Sequence, residues 1–539
     1  MLIRVLSATL LLSLALIVSG CGRPESRVEA GNRDGILHVG NGVEPQDLDP
    51  HTNTGSPESR ILSAIFEGLV EQDGETLQPA PGVAKSWEIS PDGLTYTFHL
   101  RENARWSDGT PLTAHDFVAS FHRLLTPELA AEFAYMTYPV VGAEDFHSGR
   151  TQDFSTVGYK APDDRTVVIT LREPLPYLLN LLANYPWVPV PIHVIERFGG
   201  LARKGTDWTR PGNLVGNGPF VLKEWIPNQV VVVEKNPDYW DATSVKLNAI
   251  HFHPIESQET EERAFRAGQL HTTASLPVSK IAVYRRDHPE SLRIEPRLGV
   301  AYVMCNTTRP PFDRREVRQA FSLAINRQLL VEKVLQGGQR PALTFSQPGM
   351  GGFTSGVKME GDPSDIPGLL AAAGFPDGQG FPQIEYLYNT NEGNRNIAET
   401  LQEMWRRTIG ADVRLTNQEW KVFLDNRTMG QYNLARAAWL PFADDPIDYY
   451  QLVSAASPDN STGWSDPEFE AAFRQARAAA DPDERFRNYQ KMESIILRDL
   501  PIIPLYHYST VYLVHPSVQG WTMNRLDTRP WKQIWLKAD

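Results

Sequence analysis

The sequence has few cysteines and a deficit of basic residues, and both shortages exclude classes of protein. Only two of its 539 residues are cysteines, Cys21 and Cys305, so stability has to come from core burial rather than from disulfides. Lysine and arginine total 52 against 65 aspartate and glutamate residues, a formal net charge of −13. A protein that binds a phosphate backbone needs a concentrated basic face. We therefore expect no nucleic-acid partner.

The sequence motifs of common enzyme active sites are also missing. There is no HExxH, no GxSxG, no GxxxxGK[ST] and no GxGxxG that opens a helix. Adjacent acids such as Asp444 and Asp445 rarely converge on one substrate. His251 and His253 would share one face of a strand and could hold a metal. Without further Cys or His at ligand spacing, a strand-surface or core role is favoured. The sequence supports neither an enzyme nor a cofactor.

The longest hydrophobic run lies at the N-terminus and is too short to cross a bilayer comfortably. Arg4 precedes the apolar segment 6–18, and small residues then lead to Cys21. This composition predicts a signal peptide over residues 1–20. The sequence VSGC at 18–21 resembles the bacterial lipoprotein cleavage box. That resemblance implies cleavage before Cys21, lipid on its thiol and a flexible tether over 21–34, with the chain facing the periplasm. The alternative is an ordinary secretory signal with an incidental cysteine.

The periodicity of apolar residues predicts a mixed α/β protein. Residues 93–101 alternate between apolar and polar, which indicates a half-buried strand. Asp313 to Glu316 has capping-box form and predicts the start of a helix. The later part of the chain alternates between strands at 383–388, 412–416 and 432–439 and helices at 392–409 and 420–428. This β-α-β-α-β order is typical of a parallel sheet with right-handed crossovers. A long helix is predicted from Asp481 to about Arg498.

The segment 435–450, ARAAWLPFADDPIDYY, follows the last of these strands. Trp439 is predicted at the carboxyl end of the strand, and residues 440–445 form the next loop. In open α/β sheets, ligands bind outside such strand ends. Asp-Pro is also a helix start, so we expect Asp445 to cap a helix that begins at Pro446. The segment therefore either borders a ligand or only begins a helix.

Several long motifs run through the chain. They are GVAKSWE (82–88), LTYTFHLR (94–101), WSDGTPLTAHDF (106–117), NGPFVL (217–222), NPDYW (236–240) and NQEWKVFLDNR (417–427). Together they resemble the bacterial extracellular solute-binding proteins of the peptide and nickel class, family 5, and most closely the oligopeptide-binding receptors of ABC importers. The resemblance covers essentially the whole mature chain.

The resemblance implies a two-lobed α/β fold of the periplasmic-binding-protein type, with an extra domain and a hinge. Lobe I would combine residues 35–66, 191–298 and 520–539, the extra domain would be 67–190, and lobe III would be 299–519. A short peptide would lie extended between the lobes, bound through its main chain as an added strand. The receptor would pass it to the permease subunits of an ABC importer. We expect a monomer that is anchored to the membrane by its lipid.

The resemblance also implies a set of ligand-binding residues. Trp439, Arg436, Trp420 and Arg427 match pocket and carboxylate-side positions of the family. Tyr302 matches an aromatic residue beside the peptide, and Asn306 falls in a matching motif. Tyr135 is also a match, although the spacing there differs by one residue. For each aromatic or arginine, the alternative is a packed core side chain or a surface ion pair.

The sequence departs from the family in the segment after Trp439. Oligopeptide receptors read Trp-x-x-Asp-Tyr-x-(Asp/Glu)-Pro, and the first acid pairs with the α-amino group of the ligand. At the same separation from Pro446, this chain has Phe442 in place of that acid and Ala443 in place of the tyrosine. The amine anchor is absent in register, and the neighbouring Asp444 is the alternative anchor. A cysteine pair of some relatives corresponds to Gly299 and Leu440.

Three functions therefore stay open. The first is a receptor for ordinary peptides. The second is a receptor for a blocked or modified peptide, such as one from the cell wall, or for another small solute. The third is an envelope chaperone or scaffold that holds unfolded segments in the same cleft.

Overall fold

The computed structural model describes residues 25–441, 443–457, 459–479, 481–522 and 524–538. The predicted signal peptide, Cys21 and Phe442 lie outside them. The strands are β1 (Ile36–Gly40), β2 (Val70–Gln72), β3 (Pro79–Pro81), β4 (Ala84–Ile89), β5 (Thr95–Leu100), β6 (Tyr159–Asp163), β7 (Thr166–Thr170), β8 (Phe220–Ile226), β9 (Val230–Lys235), β10 (Ala249–His253), β11 (Leu292–Cys305), β12 (Arg340–Pro341), β13 (Ile384–Asn389), β14 (Val413–Gln418), β15 (Leu434–Trp439), β16 (Ile502–Leu513), β17 (Val518–Gln519) and β18 (Trp535–Leu536).

Helices lie between most of these strands. They are α1 (Arg27–Asp34), α2 (Ser56–Ile65), α3 (Ala114–Leu125), α4 (Ala143–His147), α5 (Leu178–Leu182), α6 (Ile192–Ile195), α7 (Gln258–Arg266), α8 (Val278–Asp287), α9 (Arg315–Leu323), α10 (Arg327–Leu329), α11 (Ile366–Ala372), α12 (Glu392–Ile409), α13 (Trp420–Thr428), α14 (Ile447–Tyr450), α15 (Pro467–Ala478) and α16 (Pro482–Asp499). In the described part of the chain, no helix has the length and apolar character that a membrane crossing requires.

The larger sheets follow the segments that the family resemblance implies. A four-stranded sheet, β1-β10-β9-β8, falls in lobe I, and a second, β4-β5-β7-β6, falls in the extra domain. A six-stranded mixed sheet, β12-β16-β11-β15-β13-β14, falls in lobe III. The mixed α/β class is confirmed, whereas the boundaries of the lobes stay a prediction.

Local periodicity accounts for several of these strands. In β5, Tyr96, Phe98 and Leu100 are buried and the residues between them are only partly buried, as the alternation predicts. The run β13-α12-β14-α13-β15 matches the predicted β-α-β-α-β order. Strand β13 pairs in parallel with both β14 and β15, which confirms the crossover topology. The long helix after Asp481 is also confirmed, because Asp481 accepts hydrogen bonds from the first turn of α16.

Two local predictions are wrong. Helix α9 begins at Arg315 and has no side-chain capping hydrogen bond, so Asp313 to Glu316 is not a capping box. The predicted flexible tether contains helix α1 over residues 27–34. That helix forms because Ser26 and Glu29 make a true capping box and because Val28 is buried.

Removing this cap should loosen α1 locally. Ser26 Oγ accepts from the Glu29 N–H at 3.2 Å, and the Glu29 carboxylate accepts from the Ser26 N–H at 2.6 Å. We expect Ser26→Ala to destabilise the helix by about 1 kcal/mol. Hydrogen exchange of the α1 amides should then become about fivefold faster. The exposed Ser279→Ala is the matched control, and equal exchange rates in both variants would contradict the assignment.

One hydrophobic core is shared by lobe I and the extra domain. Buried residues of lobe I, such as Leu37, and of the extra domain, such as Phe98, belong to one cluster. Strands β11 and β16 pair along the whole length of β11 and continue from lobe I into lobe III, with an irregular register between Pro296 and Val300. Lobe I and the extra domain are therefore packed as one unit, and a pair of long strands joins that unit to lobe III.

The second cysteine is structural. Cys305 is free and buried at the end of β11, and burial raises the pKa of its thiol to about 12. A thiol this hard to ionise is a poor nucleophile. It contributes packing to the core of lobe III.

Candidate functional site

A cavity of about 380 Å³ lies where the three parts of the fold meet. Its walls come from residues within 54–74, from 183–188 of the extra domain and from the C-terminal tail at 524–533. Leu440 and Pro441, in the loop after β15, line it from lobe III. The volume falls in the range of small-molecule sites. The predicted loop therefore faces a cavity.

Arginines dominate one wall of this cavity. Asp527 Oδ1 lies 2.6 Å from Arg529 Nη2, and its Oδ2 lies 3.6 Å from Arg60 Nη2 and 3.8 Å from Arg297 Nη2. Burial opposes ionisation of this carboxyl, but Arg529, Arg60 and Arg297 together lower the pKa of Asp527 to about 2. Three guanidiniums around one carboxylate leave an excess of positive charge. This wall is suited to an anionic group of a ligand.

A second charged group lines the same cavity. The carboxylate of Glu67 accepts from Trp240 Nε1 at 2.6 Å and from the Tyr239 hydroxyl, and Lys532 Nζ lies 3.6 Å away from it. Lys532 also contacts Glu71. Burial, and then the charge of Glu71, raises the pKa of Glu67 well above its usual range. The Lys532 ammonium group thus lies between the carboxyl groups of Glu67 and Glu71.

Lobe III contributes an arginine-rich group beside Tyr302. Burial raises the pKa of Tyr302 to about 12. The nearby charges of Arg427 and Arg436 oppose this shift, and that of Asp459 adds to it. Arg436 lies on β15 with its Nη2 3.5 Å from Tyr508 Oη. Within the described residues, the buried Nε of Arg427 has no hydrogen-bond partner. The structure thus brings three of the predicted residues together and leaves a donor available.

Tyr135 faces this group from the extra domain. Its ring is partly exposed, yet burial of the hydroxyl, and then the charges of Asp448 and Asp459, raise the pKa of Tyr135. Both acids belong to lobe III. Asp459 also acts on the hydroxyl of Tyr302, so Tyr135 of the extra domain and Tyr302 of lobe III are both close to this acid.

Asp448 fixes the predicted pocket tryptophan. Trp439 Nε1 donates to Asp448 Oδ1 at 3.3 Å, and Gln451 Nε2 donates to the same oxygen at 2.8 Å. Asp448 Oδ2 accepts from the Ala443 N–H at 3.4 Å. The acid thereby holds the indole and the loop after β15 in one arrangement.

The remaining predicted residues divide into two kinds. Trp420 is half exposed and stacks on Phe423, and the guanidinium of Arg427 lies 5.8 Å from the same Phe423 ring. Asn306 instead serves a turn. Its Nδ2 donates to the Gly430 carbonyl, and its Oδ1 accepts twice from Thr308. Both polar atoms of Asn306 are thus occupied inside the protein.

The two adjacent acids have different environments. Asp445 Oδ1 accepts from the Ile447 N–H at 3.0 Å and from the Tyr489 hydroxyl at 2.5 Å. It supports the start of α14, which begins one residue later than predicted. Asp444 is also buried, but its Oδ1 has no partner within the described ranges. Burial raises the pKa of Asp444, although Arg525 opposes the shift.

Gly299 and Leu440, the positions of the cysteine pair in some relatives, are neighbours in space. A Cβ placed on Gly299 would come within 2.5 Å of Leu440 Cδ2. These positions belong to β11 and to the loop after the adjacent β15. A side chain at position 299 would require Leu440 to move, and the backbone φ of +154° also disfavours one.

Two residues of the site were missed by the sequence reasoning. Asp527 carries no recognisable pattern, because only Arg529 is close to it in sequence and its other two arginine partners come from positions 60 and 297. Asp448 carries a weak signal, since it stands in the first turn of α14, directly after the strand-end loop. A search for acids at that place would have found it.

A separate histidine group lies in lobe I. His38 joins His251 and His253, and one ligand atom of each lies within 4.8 Å of the others. Burial, and then neighbouring histidines, lower the pKa of His38 to about 2. Burial also lowers the pKa of His253 to about 4. The sequence predicted a strand-surface or core role for His251 and His253, and it did not predict that His38 lies beside them.

Two α/β lobes around a charged cavity, with an extra domain packed on one of them, define a bilobal solute-binding protein. The family model for bacterial extracellular solute-binding proteins, family 5, matches residues 78–461. The periplasmic oligopeptide-binding protein OppA of Salmonella typhimurium is 36% identical over 495 residues, 89% of each chain. The chain belongs to family 5 of the bacterial extracellular solute-binding proteins.

Solved structures agree with this assignment. The murein tripeptide-binding protein MppA, in its unliganded open form, matches with a TM-score of 0.81 and 33% identity, covering 93% of this chain and 97% of that one. Haemophilus influenzae OppA in complex with the peptide RPPGFSPFR matches with a TM-score of 0.76 and 32% identity, covering 93% and 99%. The family and these neighbours are solute-binding proteins, not enzymes.

Proposed function

We propose that the protein is a lipid-anchored receptor in the cell envelope that captures peptides between its lobes and delivers them to an ABC importer. The observation that carries the proposal is the charged cavity, bordered by the loop after β15, in a chain similar to OppA over most of its length. The periplasmic location and peptide ligands in the names of the relatives support the compartment and the ligand class.

The lobe III group supplies contacts for such a ligand. The Nε–H of Arg427 has no acceptor among the described residues, and Arg427 and Arg436 both act on the hydroxyl of Tyr302. Guanidinium groups bind carboxylates in a bidentate manner, so these arginines are suited to the acidic end or side chains of a peptide. Trp439, held by Asp448, and the exposed Trp420 offer apolar surfaces for its side chains.

A receptor for a modified cell-wall peptide is the second candidate. It is favoured by the similarity to MppA, which is named as a murein tripeptide-binding protein, and by Phe442 at the position of the amine anchor. Mass spectrometry of the ligand that co-purifies with the protein distinguishes the two candidates. An ordinary peptide supports the main proposal, a muropeptide supports the second, and a bile-acid-like or other non-peptide solute contradicts both.

Thermal unfolding separates a receptor from a chaperone. A ligand that binds only the native state raises its melting temperature progressively with ligand concentration. We expect a short peptide library to contain members that produce such a dependence. A protein that only holds unfolded segments would show no concentration-dependent stabilisation by short peptides.

Peptide binding should also make the protein more compact. The joined lobe I and extra domain face lobe III across β11 and β16, an arrangement that permits hinge closure. We expect small-angle X-ray scattering to give a smaller radius of gyration at saturating peptide than without it. An unchanged radius would contradict hinge closure, because a ligand shifts only those conformational equilibria whose states it binds differently.

A further inference from the structure

Three histidines from distant parts of the sequence meet on one face of the lobe I sheet. Strands β1 and β10 run parallel, with His38 opposite His251 and Gly40 opposite His253. Side chains alternate between the two faces along a strand, and Leu37, the neighbour of His38, is buried in the core. The three histidines therefore share the face opposite the core.

Their ring nitrogens have the spacing of metal ligands. One ligand atom from each ring lies within 4.8 Å of the others, and His38 Nδ1 lies 3.1 Å from His253 Nε2. Tetrahedral Zn²⁺ with bonds of about 2.1 Å places its nitrogen ligands about 3.4 Å apart. The His38–His253 spacing is close to this value, and the His251 ligand atom lies within 4.8 Å of both. We propose that His38, His251 and His253 form a binding site for a divalent transition-metal cation such as Zn²⁺.

The contact between His38 and His253 supports a shared cation. Without a metal, two imidazole nitrogens at this distance form one hydrogen bond, so one of them carries the proton. A cation that replaces this proton would be bound by both lone pairs. His251 completes a set of three nitrogen ligands, and three protein ligands leave the fourth position of a tetrahedral cation to water.

A fourth histidine orients the site without joining it. His271 Nδ1 accepts from the His38 main-chain N–H at 2.9 Å, so its Nε2 carries the proton and donates to Asn32 Oδ1 at 3.2 Å. Both ring nitrogens of His271 are therefore used. The His271 ring therefore holds the main chain of β1 at His38 and links it to helix α1, and contacts of this kind orient the ligands of a metal site.

Charged groups of both signs face the cluster. The guanidinium of Arg27 acts on His38, His251 and His253, and it opposes a bound cation. The negative charges of Glu224 and Glu234 act on His251 and favour a positive charge there. Arg27 is exposed at the start of α1 and is free to turn into solvent.

The site is separate from the proposed peptide function. It lies on the lobe I sheet and shares no residue with the interlobe cavity. A cation there would join β1 to β10 and so connect strands that are more than two hundred residues apart in sequence. Its binding would stabilise lobe I by mass action, whether or not a peptide is present.

Zinc titration of the purified full-length protein tests the site. The protein is stripped with EDTA, and Zn²⁺ is added in competition with a chromogenic chelator. We expect binding of a single equivalent and a rise in melting temperature. His251→Ala should weaken binding by at least about tenfold, because it removes one of three ligands. Co²⁺ in place of Zn²⁺ should give the absorption bands of a tetrahedral site.

Two control variants sharpen the result. His288→Ala removes an exposed histidine of lobe I and should leave zinc affinity unchanged. Arg27→Gln removes the opposing charge and should strengthen it. If metal-free His251→Ala is misfolded by circular dichroism, His253→Gln replaces it as the test. The proposal is overturned if the wild type does not bind zinc, or if a folded ligand variant binds it as tightly as the wild type.

Discussion

Replacing Cys21 by alanine should move the protein almost completely from the membrane fraction to the soluble fraction. Cys21 follows an apolar segment and a VSG sequence that resemble a lipoprotein signal. A single acyl chain binds membranes weakly, and two or more chains give stable anchoring. If the proposed lipid anchor is correct, loss of the Cys21 thiol should remove the attachment.

Fractionation with a matched cysteine variant provides the measurement. Membranes are sedimented from cells that express the wild type, Cys21→Ala or Cys305→Ala, and the protein is quantified in both fractions. Cys305 is buried in lobe III, so its replacement should leave the protein in the membrane fraction. A Cys21→Ala variant that still sediments with membranes, even after a salt wash, would show that another feature holds the protein there.

Patterns that are local in sequence predicted most of the fold. The strand at Thr95–Leu100 and the alternating strands and helices from β13 to β15 follow from the spacing of apolar residues over short segments. That spacing can be read from a single sequence. Helix α1 was missed although Ser26 and Glu29 have the spacing of a capping box, because the burial that holds the helix depends on contacts with β1 and with Gly268. Polar composition alone cannot distinguish such a helix from a tether.

The candidate site was predictable only in part, for a related reason. The family motifs indicated Tyr302, Arg427 and Arg436, and the structure places them together. Asp527 and His38 could not be found, because Arg60 and Arg297, two of the three arginines around Asp527, and His251 and His253, which lie beside His38, are more than two hundred residues away in sequence. Asn306 was predicted as a ligand-binding residue because it falls in a matching motif. The motif did not reveal that the Asn306 amide forms its hydrogen bonds inside the protein.

The sequence makes a specific prediction about how the protein recognises the N-terminus of its ligand. An unpaired amine in a closed cleft costs several kcal/mol, so a receptor that selects free amines needs an ionised partner. Relatives place that acid where this chain has Phe442. We expect the wild type to discriminate little between a peptide with a free N-terminus and its acetylated form, or to favour the acetylated one.

Calorimetric titration of both peptide forms against three proteins tests this prediction. Phe442→Asp restores the acid and should improve binding of the free-amine peptide by about 2–3 kcal/mol, as for a hydrogen bond to a charged group. The acetylated peptide should gain nothing from this substitution, which makes it the internal control. Asp444→Asn, the third protein, should behave as the wild type does with both forms.

Asp444 supplies the outcome that would contradict this interpretation. Its Oδ1 is buried and unpartnered within the described chain, which leaves an acceptor two residues along the sequence from the family position. If the wild type strongly rejects the acetylated peptide and Asp444→Asn abolishes that preference, Asp444 is the amine anchor. The exchange of the family acid for Phe442 would then have moved the anchor by two residues rather than removed it.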